Sequence, residues 1–187
     1  MRHGISGEED YLLVVQHPVT EEMDNAKDQV QVLVNALKQI PMRKVWVLPN
    51  NDAGSETVRR ELLRQRSIDT AIFENLSRQD YLGLLKGCKA IVGNSSSGIL
   101  EAPTFQIPAV NLGRRQADRV QGINVINAPF ELEHCLQAIK CAISPEFRAT
   151  LSRCTNPYGD GRSSERILDI LSSMSVDSHL LVKKLAY

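Results

Sequence analysis

A cluster of small polar residues at positions 94–98 (NSSSG) stands between a short apolar stretch and a segment of helical character. Serine hydroxyls and consecutive backbone N–H groups at the start of a helix are donors without partners inside the helix. The helix dipole favours negative charge at the same point. The cluster is therefore typical of an anion site, and it is equally typical of a serine N-cap with polar neighbours.

Three charged residues downstream favour a phosphorylated ligand. Arg114 and Arg115 follow the next predicted strand, and a guanidinium binds phosphate through two parallel hydrogen bonds. Glu101 falls early in the helical segment, where its carboxylate would accept from two ribose hydroxyls. These residues predict a nucleotide diphosphate as ligand, in a chain with neither a Walker lysine motif nor a GxGxxG fingerprint. The alternative is a solvated arginine pair and an exposed helix acid.

The elements that position these residues alternate along the chain. Short apolar runs predict strands buried on both faces, over residues 11–16, 44–50, 69–75, 89–94, 107–113 and 123–129. Amphipathic segments predict helices over residues 25–40, 52–66, 77–86, 98–105, 129–143 and 163–174. Ser55 and Ser77 are the predicted N-caps of the second and third helices.

The alternation predicts an α/β fold with a doubly wound, mainly parallel Rossmann-like sheet. Because no linker or internal repeat interrupts it, we predict a single domain over residues 1–187. Its core covers residues 11–174, and residues 175–187 form either an added helix or a frayed end. Ligands of such sheets bind outside the carboxyl ends of the strands, which is where the polar cluster and the arginines fall.

The composition excludes several classes of function. Lysine plus arginine and aspartate plus glutamate both number 22, so no basic excess indicates a nucleic-acid partner. No apolar run approaches the ~18 residues of a membrane span, and we find no signal-peptide core. The scattered cysteines predict free thiols in a reducing compartment rather than a metal site. We therefore expect a cytoplasmic protein that uses no metal and no cofactor.

Four segments together resemble one enzyme family. They are QHPVT at 16–20, LPNNDAGS at 48–55, VGNSSSGILEAPTFQIPAVNLGRRQ at 92–116 and NPYGDGRSSERI at 156–167. In this order and spacing they are similar to the C-terminal half of UDP-N-acetylglucosamine 2-epimerases. The non-hydrolysing branch typically has DSGG where this chain has NSSS. The resemblance is thus nearer to the hydrolysing branch, which makes N-acetylmannosamine for sialic acid biosynthesis.

The resemblance implies two Rossmann-like domains in a GT-B arrangement, with the substrate between them and UDP held by the C-terminal one. By motif match, Ser95 and Ser96 would bind the diphosphate through their side chains and N–H groups. Arg115 would contact phosphate, and Glu101 would accept from the ribose hydroxyls. Gly98 would permit the close approach of the backbone.

Four further positions follow from the same resemblance. The Leu76 backbone would meet the uracil, Tyr81 would pack against it, and Asn50 would lie near the nucleotide. His17 would lie near the phosphates and the sugar and would assist UDP departure as a hydrogen-bond donor or acid. From the residues alone, the favoured interpretation of His17 is a strand-end histidine with a local structural partner.

The family's reaction is stepwise: a base removes the proton at sugar C2, UDP leaves C1, and water adds to the resulting glycal. Carboxylates of the N-terminal half face C2 in the family, and His17 with Asp52 is not a convincing acid–base pair. We therefore expect this chain to bind UDP or UDP-N-acetylglucosamine without turnover. Its expected partner is the missing N-terminal domain or a second copy of the chain. The alternatives are a stand-alone UDP-sugar-binding module and a GT-B glycosyltransferase donor domain.

Overall fold

Six parallel strands form the centre of the computed structural model, which describes residues 9–177 and 182. They are β1 (Tyr11–Val15), β2 (Arg43–Val47), β3 (Thr70–Phe73), β4 (Ala90–Gly93), β5 (Ala109–Leu112) and β6 (Val125–Ala128). Their order across the sheet is β3-β2-β1-β4-β5-β6, and every neighbouring pair is parallel. The predicted doubly wound α/β fold is confirmed, and its topological switch point lies between β1 and β4.

Helices alternate with the strands along the chain and continue after the last strand. They are α1 (Ala26–Lys38), α2 (Ser55–Leu63), α3 (Arg78–Gly87), α4 (Ser97–Leu100), α5 (Leu132–Ile143), α6 (Pro145–Thr150) and α7 (Ser163–Ser173). Short 3-10 segments lie at Thr20–Asn25, Ala102–Phe105 and Leu151–Arg153. The sequence did not predict α6, since a segment of one or two turns carries too little periodicity to be recognised.

Alternate residues of the strands face opposite layers, because side-chain direction in a strand has a period of two. Leu12 and Val14 of β1 pack into one apolar cluster, and Leu13 and Val15 pack into the cluster on the other face. The first cluster includes the predicted stripe of α1, which is Val30, Leu33, Val34 and Leu37. Burial on both faces explains why the central strands β1, β4 and β5 read as continuous apolar runs.

Gly93 ends β4 at the switch point. Its φ is +128°, and a Cβ there would lie 2.1 Å from the carbonyl oxygen of Val15. No L side chain fits that space or adopts that conformation without strain. The end of β4 therefore approaches β1 more closely than any residue other than glycine would permit.

The two predicted N-caps have different outcomes. Ser77 caps α3 as predicted, since its Oγ accepts from the Asp80 N–H at 3.1 Å. The prediction for Ser55 is wrong: Ser55 is the first residue of α2, and Gly54 is the N-cap with φ +87°. The left-handed turn at Gly54 directs the Ser55 hydroxyl inward, where it has no partner among the described residues.

The helix predicted over residues 98–105 is divided in two. Its first part is α4, and its second part is the 3-10 segment Ala102–Phe105. Pro103 lies at the start of that segment and has no N–H group to continue the α-helical hydrogen bonds. The helix after the serine cluster is therefore one turn long, and Glu101 lies at the junction between the two parts.

The chain divides into two compact units, residues 1–157 and residues 158–187. The first contains the sheet and the helices through α6, and the second contains α7. Within the second unit, Arg166 donates to both carboxylate oxygens of Asp160 at 2.8 Å. The predicted tail over 175–187 lies mostly outside the described residues.

All four cysteines are free thiols, and three of them are buried. Cys88, Cys135 and Cys154 lie in the interior, whereas Cys141 is exposed on α5. Burial raises the pKa of Cys88 to about 12 and also raises the pKa values of Cys135 and Cys154. The buried thiols therefore stay protonated at neutral pH.

Candidate functional site

The carboxyl ends of β1 and β2 bring His17 next to Asn50. The Nδ1 atom of His17 lies 3.1 Å from Asn50 Oδ1, and Asn50 Nδ2 donates to Asp52 Oδ2 at 2.8 Å. An amide oxygen only accepts, so this bond places a proton on His17 Nδ1. In the neutral ring, His17 Nε2 is then the nitrogen available to a ligand.

The surroundings of His17 keep its ring neutral. Burial lowers the pKa of His17, and the Arg115 guanidinium lowers it further. The hydrogen bond to Asn50 and the charge of Asp52 raise the same pKa by smaller amounts. A phosphate beside the ring would add an opposite charge, which favours protonation. The site therefore has the means to couple anion binding to proton uptake.

Asn94 connects His17 to the predicted phosphate-binding arginine. The carboxamide of Asn94 accepts from His17 N and donates to His17 O, both at 2.8 Å. The main-chain carbonyl of Asn94 accepts from Arg115 Nη1 at 3.2 Å and from Gln116 Nε2 at 2.8 Å. Arg115 also lies 3.9 Å from Asp52. His17, Asn50 and Arg115, named from three separate motifs, thus meet at one edge of the sheet.

The serine cluster forms a chain of hydroxyl contacts that ends on Tyr81. Ser95 Oγ lies 3.0 Å from Ser97 Oγ, which lies 2.6 Å from the Tyr81 hydroxyl. Burial raises the pKa of Tyr81, so the phenol stays neutral and able to donate. Ser96 is at the N-cap position of α4, but its hydroxyl makes no capping bond. The hydroxyl of Ser96 is therefore not used to cap the helix.

Ser97 was missed as a site residue by sequence reasoning. Its hydroxyl is the middle member of the contact chain, and the residue is 8% exposed. The only signal was its place as the third serine of the run, which gave no reason to separate it from Ser95 and Ser96. The difference arises because the first turn of α4 directs Ser97 inward toward α3.

Glu101 and Leu76 flank the serine cluster. Glu101 Oε1 lies 3.7 Å from Arg78 Nη1, and 26% of the Glu101 side chain is exposed. A bound ribose would therefore find this carboxylate accessible. Leu76 is partly buried in the same apolar cluster as Tyr81, at the start of α3. The structure thus places Leu76 in the cluster that contains Tyr81, and Glu101 at the C-terminal end of α4.

Arg114 is engaged elsewhere. Its Nε contacts Glu22 of the 3-10 segment Thr20–Asn25, and Gln29 donates to the other oxygen of Glu22 at 2.7 Å. Of the two arginines, Arg115 is the one that contacts the strand-end polar residues. No group of three His, Cys, Asp or Glu side chains arranged for a metal ion occurs in the part of the chain that the structure describes.

The fold and the site define a class: a doubly wound α/β protein with a histidine, an arginine and serine hydroxyls at the carboxyl ends of its strands. The chain belongs to the UDP-N-acetylglucosamine 2-epimerase family, whose profile matches residues 1–172. None of the helices in the described residues combines the length and the apolar character that crossing a membrane requires.

Two curated relatives carry the name of a 2-epimerase. It is 32% identical over 188 residues to a UDP-N,N'-diacetylbacillosamine 2-epimerase (hydrolyzing) of Legionella pneumophila, covering 100% of this chain and 48% of the relative. It is 34% identical over 167 residues to a UDP-N-acetylglucosamine 2-epimerase of Neisseria meningitidis, covering 88% of this chain and 44% of the relative. The chain spans about half the length of the curated relatives it matches.

A solved structure shares the fold. The UDP-N-acetylglucosamine 2-epimerase of Neisseria meningitidis, bound to UDP-N-acetylglucosamine, superimposes with a TM-score of 0.73. The match covers 91% of this chain and 46% of that chain at 19% identity. At this identity the likeness establishes the fold, and the roles of individual residues depend on the geometry of this chain.

Proposed function

We propose that this chain is the UDP-binding half of a hydrolysing UDP-N-acetylglucosamine 2-epimerase. The observation that carries the proposal is the meeting of His17, Asn50 and Arg115 at the switch point of a chain in the epimerase family. The Legionella relative, whose name includes the word hydrolyzing, supports that branch.

The diphosphate would lie between the serine cluster and Arg115. Ser95 and Ser96 supply hydroxyls and N–H groups, and the Arg115 guanidinium is anchored on the Asn94 carbonyl. When the bond between sugar C1 and UDP breaks, negative charge grows on the departing diphosphate. Donors that are already fixed stabilise that charge without reorganising. His17, once protonated through Nε2, adds a further donor to the leaving group.

The nucleoside would extend from the serine cluster toward α3. Glu101 accepts from the ribose hydroxyls, the Leu76 backbone meets the uracil, and the Tyr81 ring packs against the base. The contact between the Tyr81 hydroxyl and Ser97 supports this placement, because it fixes the ring relative to the phosphate-binding turn. The site needs no metal and no cofactor for these contacts.

Removal of the C2 proton needs carboxylates placed against C2, and the acids that the described residues bring to the candidate site have other partners in this proposal: Glu101 faces the ribose. Asp52 is engaged by Asn50 and faces Arg115, so its charge is already balanced. The chain covers about half of its relatives, and the other half of such a protein would supply the base. We therefore propose that the partner of this chain is an N-terminal domain, and that the chain alone binds UDP-sugars without converting them.

Calorimetry with UDP tests the binding half of the proposal. Arg115→Ala and Glu101→Ala are each expected to weaken binding about 10- to 100-fold, because a hydrogen bond to a charged group contributes ~1.5–3 kcal/mol. Ser95→Ala is expected to weaken it less, by about 3- to 10-fold. The matched controls are Arg153→Ala and Glu133→Ala, which remove exposed charges outside the site. If the wild type does not bind UDP, or if the controls weaken binding as much, the site assignment is wrong.

Turnover by the chain alone is the complementary test. With UDP-N-acetylglucosamine as substrate, we expect no release of N-acetylmannosamine above the rate without protein. As a positive control, the separately produced N-terminal half of a relative is added to the chain. Robust turnover by the chain alone would contradict the proposal that the base lies elsewhere.

A further inference from the structure

The carboxyl ends of β1 and β4 are joined by a side chain to which the proposed binding roles assign nothing. The main-chain ladder of the two strands ends where Asn94 N donates to Val15 O at 3.2 Å. One residue further on, the Asn94 carboxamide replaces the main-chain pairing. It accepts from His17 N and donates to His17 O, both at 2.8 Å. Asn94 is fully buried, and both polar atoms of its carboxamide are used. The side chain thus extends the ladder by one residue across the switch point.

Buried amides on either side hold this arrangement in place. Gln116 Nε2 donates to the Asn94 carbonyl at 2.8 Å, and Gln16 Nε2 donates to the His17 carbonyl at 3.0 Å. Gln16 and Gln116 are each 1% exposed. The backbone of His17 is therefore bonded at both its N–H and its C=O, while its ring reaches the ligand side of the sheet.

We infer that Asn94 is a positioning residue for His17: its carboxamide fixes the His17 backbone so that the ring keeps Nδ1 on Asn50 and presents Nε2 to a phosphate. The identity of the ligand rests on the proposed function, whereas the positioning is a property of the chain without ligand. A residue that only joins the two strands would have no influence on how the His17 ring titrates.

The chemistry of the site accounts for asparagine at this position. An aspartate would accept from His17 N but could not donate to His17 O, and an apolar side chain would satisfy neither backbone group. Among the described residues, the charged groups that act on the His17 ring are Arg115, from the segment after β5, and Asp52, from the segment after β2. Asn50 faces it as the hydrogen-bond partner of Nδ1.

The test is a pH titration of the His17 ring nitrogens by 15N NMR in the full chain. In Asn94→Ala, the His17 ring is no longer held in place and gains contact with water. The midpoint of its pH titration is expected to move upward toward the ordinary value of about 6.5. The matched control is Asn124→Ala, another asparagine that is 0% exposed and donates to two carbonyls, those of Gly98 and Ile107. The control is expected to lower stability without moving the His17 midpoint. Equal midpoints in the wild type and Asn94→Ala would overturn the inference.

A second measurement needs no variant. In the wild type, the Asn94 carboxamide protons are expected to shift with the same midpoint as the His17 ring, and the Asn124 carboxamide protons are expected not to. If neither carboxamide follows the ring, Asn94 does not position it. UDP is then added: we expect it to raise the His17 midpoint in the wild type and to raise it less in Asn94→Ala. If UDP does not bind at all, the proposed function fails, while the titrations without UDP still decide the role of Asn94.

Discussion

His17 combines a fixed backbone with a ring whose pKa is lowered, mainly by burial and then by Arg115. The folded pKa lies below the unfolded value of about 6.5, so the unfolded chain binds more protons between the two pKa values. The contribution of His17 to the free energy of unfolding therefore falls as pH drops through that window and is constant above it.

We expect His17→Gln to remove part of the destabilisation that the wild type suffers on acidification from pH 7.5 to pH 5. Urea unfolding at the two pH values measures this as the difference in midpoint, and the difference should be smaller in the variant. An equal difference in both proteins would show that His17 is not the group responsible.

In the chain without ligand, Arg114 and Arg115 each lie beside an acidic side chain. Asp52 lies 3.9 Å from Arg115, and Glu22 contacts Arg114. A phosphate that binds Arg115 must compete with Asp52 for the guanidinium. We expect Asp52→Asn to strengthen UDP binding about 2- to 5-fold at low salt, because exposed ion pairs contribute ~0.2–1 kcal/mol.

UDP binding by the wild type and by Asp52→Asn is compared by calorimetry at low and at high salt. Glu133→Gln is the control, because it changes the net charge equally. The gain in UDP affinity should be smaller at high salt and absent in the control. Weaker UDP binding in Asp52→Asn would show that Asp52 supports the site through Asn50 instead.

The meeting of several candidate site residues at one edge could be predicted because strand ends can be read from the sequence. His17, Asn50 and Arg115 each follow an apolar run, and the carboxyl ends of parallel strands meet at one edge. The contact between Asn94 and His17 could not be predicted, because it spans 77 positions and depends on β4 lying directly beside β1. Ser97 was missed because the direction of a hydroxyl in the first turn of a helix is set by the turn itself.

At the scale of elements, the strands were predicted to within three residues because both faces of the sheet are buried. The errors lie at turns. Gly54, rather than Ser55, is the N-cap of α2, so the helix begins one position earlier than predicted. Pro103 divides the helix that was predicted over residues 98–105. Such turns depend on single backbone angles, which a hydrophobic pattern does not encode.

The junction of β1 and β4 is expected to tolerate no side chain at Gly93. In Gly93→Ala, the new Cβ would meet the Val15 carbonyl at 2.1 Å in a backbone region that favours glycine. We expect a loss of at least ~3 kcal/mol in the free energy of unfolding, measured by urea titration.

Gly83 offers the matched control for Gly93. It lies inside α3, and a Cβ there meets nothing within 4 Å. Gly83→Ala is expected to stabilise the chain by ~1 kcal/mol, because alanine favours the helix. If the two substitutions had similar effects, the close approach of β1 and β4 would not be the cause.

At the scale of the whole molecule, the second unit exposes much apolar surface. Ile167, Leu168, Ile170 and Leu171 of α7 are all more than half exposed. Apolar surface of this kind favours association, and the sequence predicted either a missing domain or a second copy as partner. We expect light scattering to show a mass that rises with concentration for the chain alone. A constant monomer mass at high concentration would contradict this expectation.

The distribution of the thiols has a practical consequence. A maleimide reagent applied to the native chain at neutral pH should modify Cys141 and spare the three buried cysteines, so intact mass spectrometry should show one adduct. The same pulse applied in denaturant should give four adducts. The number of modified sulfurs thereby counts folded and unfolded molecules in one spectrum, and Cys141 gives α5 a native attachment point for a fluorophore.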